Sequence, residues 1–281
     1  MTIAEALFIG SERLRLADID ESRREAASLL AFVLAKTAVF LIAHPEYVLT
    51  DEDQARYQDI LRRRSGREPF HYIIGRKEFY GLDFHVEPGV LIPRPETELL
   101  VESVVRTLGP MTHPKFLEIG VGSGCISVSV LFNLPTANAV AVDLSERAIS
   151  VSAANAHRHH VGDRLRLIRG DIFDGVSENF DLIVSNPPYI PDLDLASLQP
   201  EVSKFEPHEA LFGGQDGLSI IRRIINGAPR FLKPGGSITL EIGFGQADAV
   251  AEMFRQSVWS NADFIQDLQG INRIVTAVLR Q

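Results

Sequence analysis

Apolar residues recur at three- and four-residue intervals through the first part of the chain. Ala26, Ala27, Leu29, Leu30, Phe32, Val33, Leu34 and Leu41 trace that spacing, which predicts helices with one buried face. Thr50, followed by Asp51, Glu52 and Asp53, reads as a helix N-cap with acids in the first turn, where unpaired backbone N–H groups favour negative charge. That helix is expected to stop near Arg64-Ser65-Gly66. The period then changes. Residues 78–86 read as two short strands about a turn at Gly81. The stretch Ile92-Pro93-Arg94-Pro95 is a stiff joint, because each proline holds its predecessor extended. A helix is expected to begin near Glu96.

From residue 115 onward, strand-like and helix-like segments alternate. Strands are expected at 115–119, 139–143, 165–169, 180–185 and 237–242, with helices notably at 145–157, 217–232 and 246–256. Such alternation implies an α/β fold with parallel strands and crossover helices. The last two runs, 264–268 and 273–279, have only a short turn at Gly270 between them. They are expected as an antiparallel pair at one sheet edge, which separates a methyltransferase-type sheet from a dinucleotide-dehydrogenase one. A helical domain over 1–70, a β-hairpin linker over 71–93 and a Rossmann-like domain over 94–281 follow.

Bulk composition narrows the possibilities. With 281 residues, 45% of them apolar, the chain can bury a large core. Its net charge of −9 works against phosphate backbones, so no nucleic-acid partner is expected. A single cysteine, Cys125, excludes an internal disulfide and suits a reducing compartment. The first residues carry Glu5 and Glu12 without a basic segment, unlike a secretory signal. No apolar run approaches the ~20 residues that span a bilayer. The expectation is a cytoplasmic protein without membrane association, and a monomer. His157, His159 and His160 read as a solvated helix end, and no metal site is expected.

Candidate chemistry begins at Phe116-Leu117-Glu118-Ile119-Gly120-Val121-Gly122-Ser123-Gly124, a strand, a glycine loop and a helix start. The spacing Gly-x-Gly-x-Gly differs from the Gly-x-Gly-x-x-Gly that aims a helix at a pyrophosphate. It suits S-adenosylmethionine, which has no phosphate, with the loop passing beside the ribose and methionine portions. Glu118 is placed to act on the ligand amino group, directly or through water. Asp143 ends the next strand and can accept both ribose hydroxyls. Asp171, after the third strand, is suited to the adenine amino group, with Ile172 or Phe173 over the purine face. Three such groups at successive strand ends form a stronger signal than the glycine loop alone.

After the fourth strand comes Ser185-Asn186-Pro187-Pro188-Tyr189. An amide or aryl-amine nitrogen is a poor nucleophile, because its lone pair is delocalised. If the Asn186 side-chain oxygen and the Pro187 carbonyl hold its two hydrogens, the lone pair can be aimed at a sulfonium methyl. Tyr189 would supply a flat wall. No metal and no strong base is required.

At these residues the chain resembles a known family. Asn186 to Tyr189 marks both N6-adenine and glutamine N5-methyltransferases. Other segments are similar to the peptide chain release factor glutamine N5-methyltransferases, the PrmC/HemK family. They are residues 67–75, residues 91–98 and the stretch from Leu198 through Phe205-Glu206-Pro207 to Gly213-Gly214-Gln215-Asp216-Gly217-Leu218. The resemblance implies a class I seven-stranded S-adenosylmethionine methyltransferase domain with a small N-terminal helical domain that docks the substrate. It also implies methylation of the Gly-Gly-Gln glutamine of class-1 release factors. Cofactor contacts would then fall on Glu118, Gly120, Val121, Gly122, Ser123, Gly124, Asp143, Asp171, Ile172 and Asn186, and acceptor contacts on Asn186, Pro187, Pro188 and Tyr189. Asn186, Pro187 and Tyr189 would carry catalysis. Glu118 and Val121 stand where Asp and Thr are usual, and Ile172 where an aromatic often covers adenine. Gly213-Gly214-Gln215 copies the substrate motif, but here belongs to the family's Gly-Gly-x-Asp-Gly-Leu loop. The rival reading is an N6-adenine nucleic-acid methyltransferase, which normally carries a basic target-reading domain.

Overall fold

A computed structural model describes residues 1–255 and 258–280. Residue 256, the expected end of a helix, and residue 281, the expected end of the second domain, lie outside the described residues. The chain divides into two units, Met1–Arg76 with Gln199–Phe205, and Lys77–Leu198 with Glu206–Gln281. The expected division is 1–70, a linker over 71–93 and 94–281; here the first unit runs to Arg76 and takes in residues 199–205 as well, and residues 77–93 belong to the second.

The first unit holds α1 (Ile3–Arg15), α2 (Ser22–Leu34), α3 (Ala38–Ala43), α4 (Asp51–Ser65), α5 (Phe70–Ile74) and, from the returning segment, α9 (Pro200–Phe205). Thr2, Thr37 and Thr50 cap their helices through the side-chain oxygen, each satisfying a backbone N–H that the helix leaves unpaired. The apolar faces meet in a core that includes Ile3, Leu14, Leu29, Leu30, Tyr57 and Leu61. Each such side chain contributes about 1.5–3 kcal/mol of burial. Arg64 is 5% exposed. It lies between Glu25 at 2.6 Å and Glu201 at 2.9 Å, and Arg67 reaches Glu201 at 2.7 Å. These pairs fasten the returning segment to the helices.

From Lys77 on, the second unit opens with the hairpin of β1 (Arg76–Phe79) and β2 (Leu82–His85). Tyr80 and Gly81 both have positive φ at its turn, 53° and 74°, the hand that matches strand twist. Then come α6 (Glu98–Leu108), β3 (Lys115–Ile119), α7 (Cys125–Asn133), β4 (Asn138–Asp143), α8 (Glu146–Arg158), β5 (Leu165–Arg169), β6 (Phe180–Ser185), α10 (Ser219–Gly227), β7 (Leu232–Glu241), α11 (Ala247–Arg255), β8 (Asp263–Gln266) and β9 (Asn272–Val278). Strands lie in the order β5-β4-β3-β6-β7-β9-β8. The first five are parallel, and β9 pairs antiparallel with both β7 and β8. The seven-stranded α/β sheet with an antiparallel final pair thus matches the sequence reading.

The strand expected over 237–242 starts earlier, as β7 (Leu232–Glu241), and two further elements differ in extent for local reasons. The helix expected over 217–232 ends at Gly227 and tightens into a 3-10 turn, Ala228–Arg230, because Pro229 has no N–H to continue the ladder. The strand expected over 264–268 stops at Gln266. There Asp267 turns the chain by accepting from the N–H groups of Gln269 and Ile271, at 2.9 and 3.0 Å.

Candidate active site

Successive strands run to opposite sides of β3, with β4 on one side and β6 on the other. Ligands in open α/β sheets bind outside the carboxyl ends of strands at such a reversal. A cleft with a cavity volume of about 170 Å³ lies there. Gly120, Gly122, Asp143, Asp171, Ile172, Asn186, Pro187 and Pro188 all line it. Glu118, Val121 and Ser123 line an adjoining pocket, which shares Gly120, Gly122 and Asn186. Gly124 and Tyr189 line neither. Gly124 precedes α7, and Tyr189 packs partly against the core.

Glu118 is fully buried, yet has no cationic partner among the described residues. Its Oε2 accepts from the Ser127 amide at 2.9 Å and from the Ser127 hydroxyl, whereas Oε1 has no partner among the described residues. Burial pushes its pKa up to about 8, the Ser127 bonds pull it down, and the nearby Asp143 charge raises it further. An unpartnered buried carboxylate oxygen is costly and suits an incoming ammonium. Asp143 accepts from Gly122 N at one oxygen and Ser145 N at the other, both at 2.9 Å. Burial raises its pKa and these two N–H groups lower it. Each oxygen keeps a lone pair for a ribose hydroxyl.

Asp171 lines the cleft, but its Oδ2 pairs with Arg223 at 2.7 Å, so Oδ1 is what it offers an adenine amino group. Ile172 and Phe173 separate clearly. Ile172 is buried on the cleft wall at φ 55°, a left-handed backbone that costs a β-branched residue of order 1–3 kcal/mol. Phe173 turns the other way and stacks on Phe231, centroids 4.6 Å apart. The groups present fit S-adenosylmethionine: a carboxylate oxygen without a partner among the described residues, a cleft-lining aspartate with lone pairs to spare and an apolar wall.

The Asn186 loop is braced from several sides. Ser185 Oγ donates to Ile119 O at 2.6 Å, fixing the end of β6 to β3. Asn186 Nδ2 donates to Thr97 Oγ1 at 3.0 Å, and Gln246 Nε2 to Tyr189 O at 2.9 Å. Among the described residues, no donor of the chain meets the Pro187 carbonyl. The Gly-Gly-x-Asp-Gly-Leu loop lies directly beneath. Gly213 N donates to Ile190 O at 3.0 Å. A Cβ on Gly217 would stand 2.2 Å from Tyr189 O, and the residue has φ 73°. Close backbone approach explains those glycines, and Gln215 itself is exposed.

Several contributors escaped the sequence reading. Asn155, fully buried on α8, binds the backbone of His85 in both directions, at 2.8 and 3.0 Å, and Ser123 O at 2.9 Å. It thus ties the hairpin to the glycine loop. Glu206 accepts from Arg94 at 2.6 Å and from Ile92 N at 3.2 Å, holding the proline-rich joint. Thr97 and Glu241 complete the surroundings of Asn186 and Tyr189. Of these, only Glu206 and Thr97 sat in segments that the family resemblance had singled out. Among the described residues, no cluster of three or more His, Cys, Asp or Glu is placed to hold a metal, and no helix is long and apolar enough to cross a membrane.

The family described as "PrmC N-terminal domain" matches residues 5–75, and "Methyltransferase small domain" matches residues 93–198. The chain is similar to a release factor glutamine methyltransferase of Geobacter sulfurreducens, with 44% identity over 92% of this chain and 89% of that one. A relative of the same name from Koribacter versatilis is 40% identical over 98% of both. A methyltransferase structure from Pyrococcus furiosus shares the fold, with TM-score 0.54 and 20% identity over 72% of this chain and 91% of that one.

Proposed function

Because the chain belongs to the release factor glutamine methyltransferase family, we propose that it methylates the side-chain amide nitrogen of a release-factor glutamine, using S-adenosylmethionine. The finer reading is the glutamine of the Gly-Gly-Gln loop of class-1 release factors, modified in the cytoplasm. The observation that carries it is the Asn186 loop on the wall of the same cleft as Gly120, Gly122 and Asp143.

Bound there, S-adenosylmethionine supplies an electrophilic methyl on a sulfonium sulfur. Glu118 Oε1 is positioned for the amino group, Asp143 for the ribose, and Ile172 for the purine face. Asn186 Oδ1 and the Pro187 carbonyl accept the two hydrogens of the acceptor NH2. Held this way, the amide cannot rotate, and its weak lone pair points along one direction. Positioning of this kind can lower a barrier by up to ~7–11 kcal/mol. The nitrogen becomes acidic only once it is cationic, so its proton leaves to water without a strong base. The prolines and the Gly213–Gly217 support keep the two acceptors from relaxing away.

The direct test is incubation with methyl-labelled S-adenosylmethionine and a purified class-1 release factor. Label should enter the release factor and vanish when the Gly-Gly-Gln glutamine is replaced. Label that persists after that replacement, or that enters an oligonucleotide instead, overturns the assignment.

A further inference from the structure

The pocket that adjoins the main cleft is small, about 40 Å³. The two cavities share Leu91, Gly120, Gly122 and Asn186, so a ligand seated in the cleft can put one end into the pocket. The cleft itself is acidic. Asp143, Asp171 and Glu209 line it, and no lysine, arginine or histidine does among the described residues. The pocket adds one more acid, Glu118, and a single cation, Arg94. Two of its polar atoms, Glu118 Oε1 and Ser123 Oγ, are buried without a partner among the described residues. Polar atoms left unpaired in this way are costly, which points to a polar group arriving from outside the chain.

Arg94 is held ready at both ends. Its backbone is extended, φ −97° and ψ 143°, because the following Pro95 disfavours the helical region. At the far end, the guanidinium donates to Glu206 Oε1 at 2.6 Å. The Glu206 side chain is 2% exposed and is fixed in turn by the Ile92 N–H at 3.2 Å. A guanidinium has five N–H donors and cannot lose its charge. Those that Arg94 does not give to Glu206 meet no acceptor among the described residues.

S-adenosylmethionine ends in an ammonium and a carboxylate on the same carbon. Glu118 Oε1 suits the ammonium and repels the carboxylate beside it. Across both cavities the carboxylate would otherwise meet acids alone. We propose that Arg94 is a cofactor-binding residue: aimed by Glu206, it pairs with the carboxylate of S-adenosylmethionine, and the Ser123 hydroxyl supplies a second donor. Charge-assisted hydrogen bonds of this kind are short and strong, and arginine presents them in a fixed fork. The pocket thereby reads the amino-acid end of the ligand with one charge of each sign. The assignment rests on the cofactor reading of the cleft and not on the identity of the methyl acceptor.

Calorimetric titration of the full chain, without release factor, tests this. Wild type should bind S-adenosylmethionine roughly ten- to a hundredfold more tightly than decarboxylated S-adenosylmethionine, the range spanned by a hydrogen bond between charged groups. Arg94→Met should erase that preference by raising the S-adenosylmethionine Kd. Its Kd for methylthioadenosine, which lacks the whole amino-acid end, should stay at the wild-type value. The double variant Arg94→Met with Glu206→Gln leaves no unpaired buried carboxylate and should show the same pattern, which separates a lost contact from a lost fold. A wild type that binds the two cofactor forms equally overturns the proposal, whatever the variants do. So does an Arg94→Met protein that loses affinity for all three ligands alike, since that is a disturbed pocket and not a lost pair. The expected pattern in a protein that labels no release factor would keep the role of Arg94 and sink the proposed acceptor.

Discussion

A carboxyl buried without a cation reports on what is meant to arrive beside it. Glu118 is held near pKa 8 by burial, above its ordinary value near 4.5. The folded chain therefore binds this proton more tightly than the unfolded chain. Its contribution to stability is present below about pH 4.5 and is lost as pH rises toward about 8. An ammonium set against Oε1 favours the ionised form, so binding of S-adenosylmethionine at pH 7 should expel a proton. Calorimetry in two buffers of different ionisation enthalpy should detect that release. Glu118→Gln should abolish it and weaken binding by roughly ten- to a hundredfold, the worth of one charged hydrogen bond. The neighbouring pair Ile172 and Phe173 makes a second contrast. Ile172→Ala should raise the cofactor Kd with a small change in Tm. Phe173→Ala should leave Kd unchanged and cost about 2–3 kcal/mol in a denaturant titration, because its ring is packed on Phe231.

At the scale of elements, two close approaches set what a single methyl group can disturb. In the catalytic unit, the Gly213–Gly217 turn and the Asn186 loop touch through backbone. Gly217→Ala puts a carbon 2.2 Å from Tyr189 O, so the loop must move. Because a displacement of ~1 Å can cost 10²-fold in rate, kcat should fall at least about tenfold while cofactor binding, measured separately, stays close to wild type. In the helical unit, α1 passes over Tyr57 of α4 at Gly10. A Cβ there would stand 2.1 Å from the Tyr57 hydroxyl, which bonds Ala26 O at 3.1 Å. Gly10→Ala should destabilise the unit by about 1–3 kcal/mol through overpacking, read as a lower denaturation midpoint.

Across the whole molecule, the chain builds two units and passes into the first of them twice. Burial works against the charge of Glu201, but the hydrogen bonds from Arg64 and Arg67 hold its pKa below the usual carboxylate range. This contribution is present above the ordinary value and lost as pH falls through the depressed one. Glu201→Ala leaves Arg64, its side chain 6% exposed, with Glu25 and the Glu68 carbonyl, and should cost about 2–3 kcal/mol. Acid unfolding of that variant should begin less steeply than in the wild type, because one paired carboxylate is gone. None of this was readable along the chain, since Glu201 lies 137 positions from Arg64. What the sequence did determine is whatever local order records: helical and strand periods, helix caps, the glycine loop after β3, and the rigid Asn186-Pro187-Pro188-Tyr189 turn after β6. Strand alternation also carried the parallel sheet and its antiparallel end. Only the tertiary structure decided that Ile172 and not Phe173 faces the cleft, because a single left-handed φ redirects the side chains. It alone brought Thr97 to Asn186 across 89 positions and Glu241 to Tyr189 across 52. Period and spacing encode which face a residue takes on its own element, whereas the partner it meets is fixed only when separate elements pack.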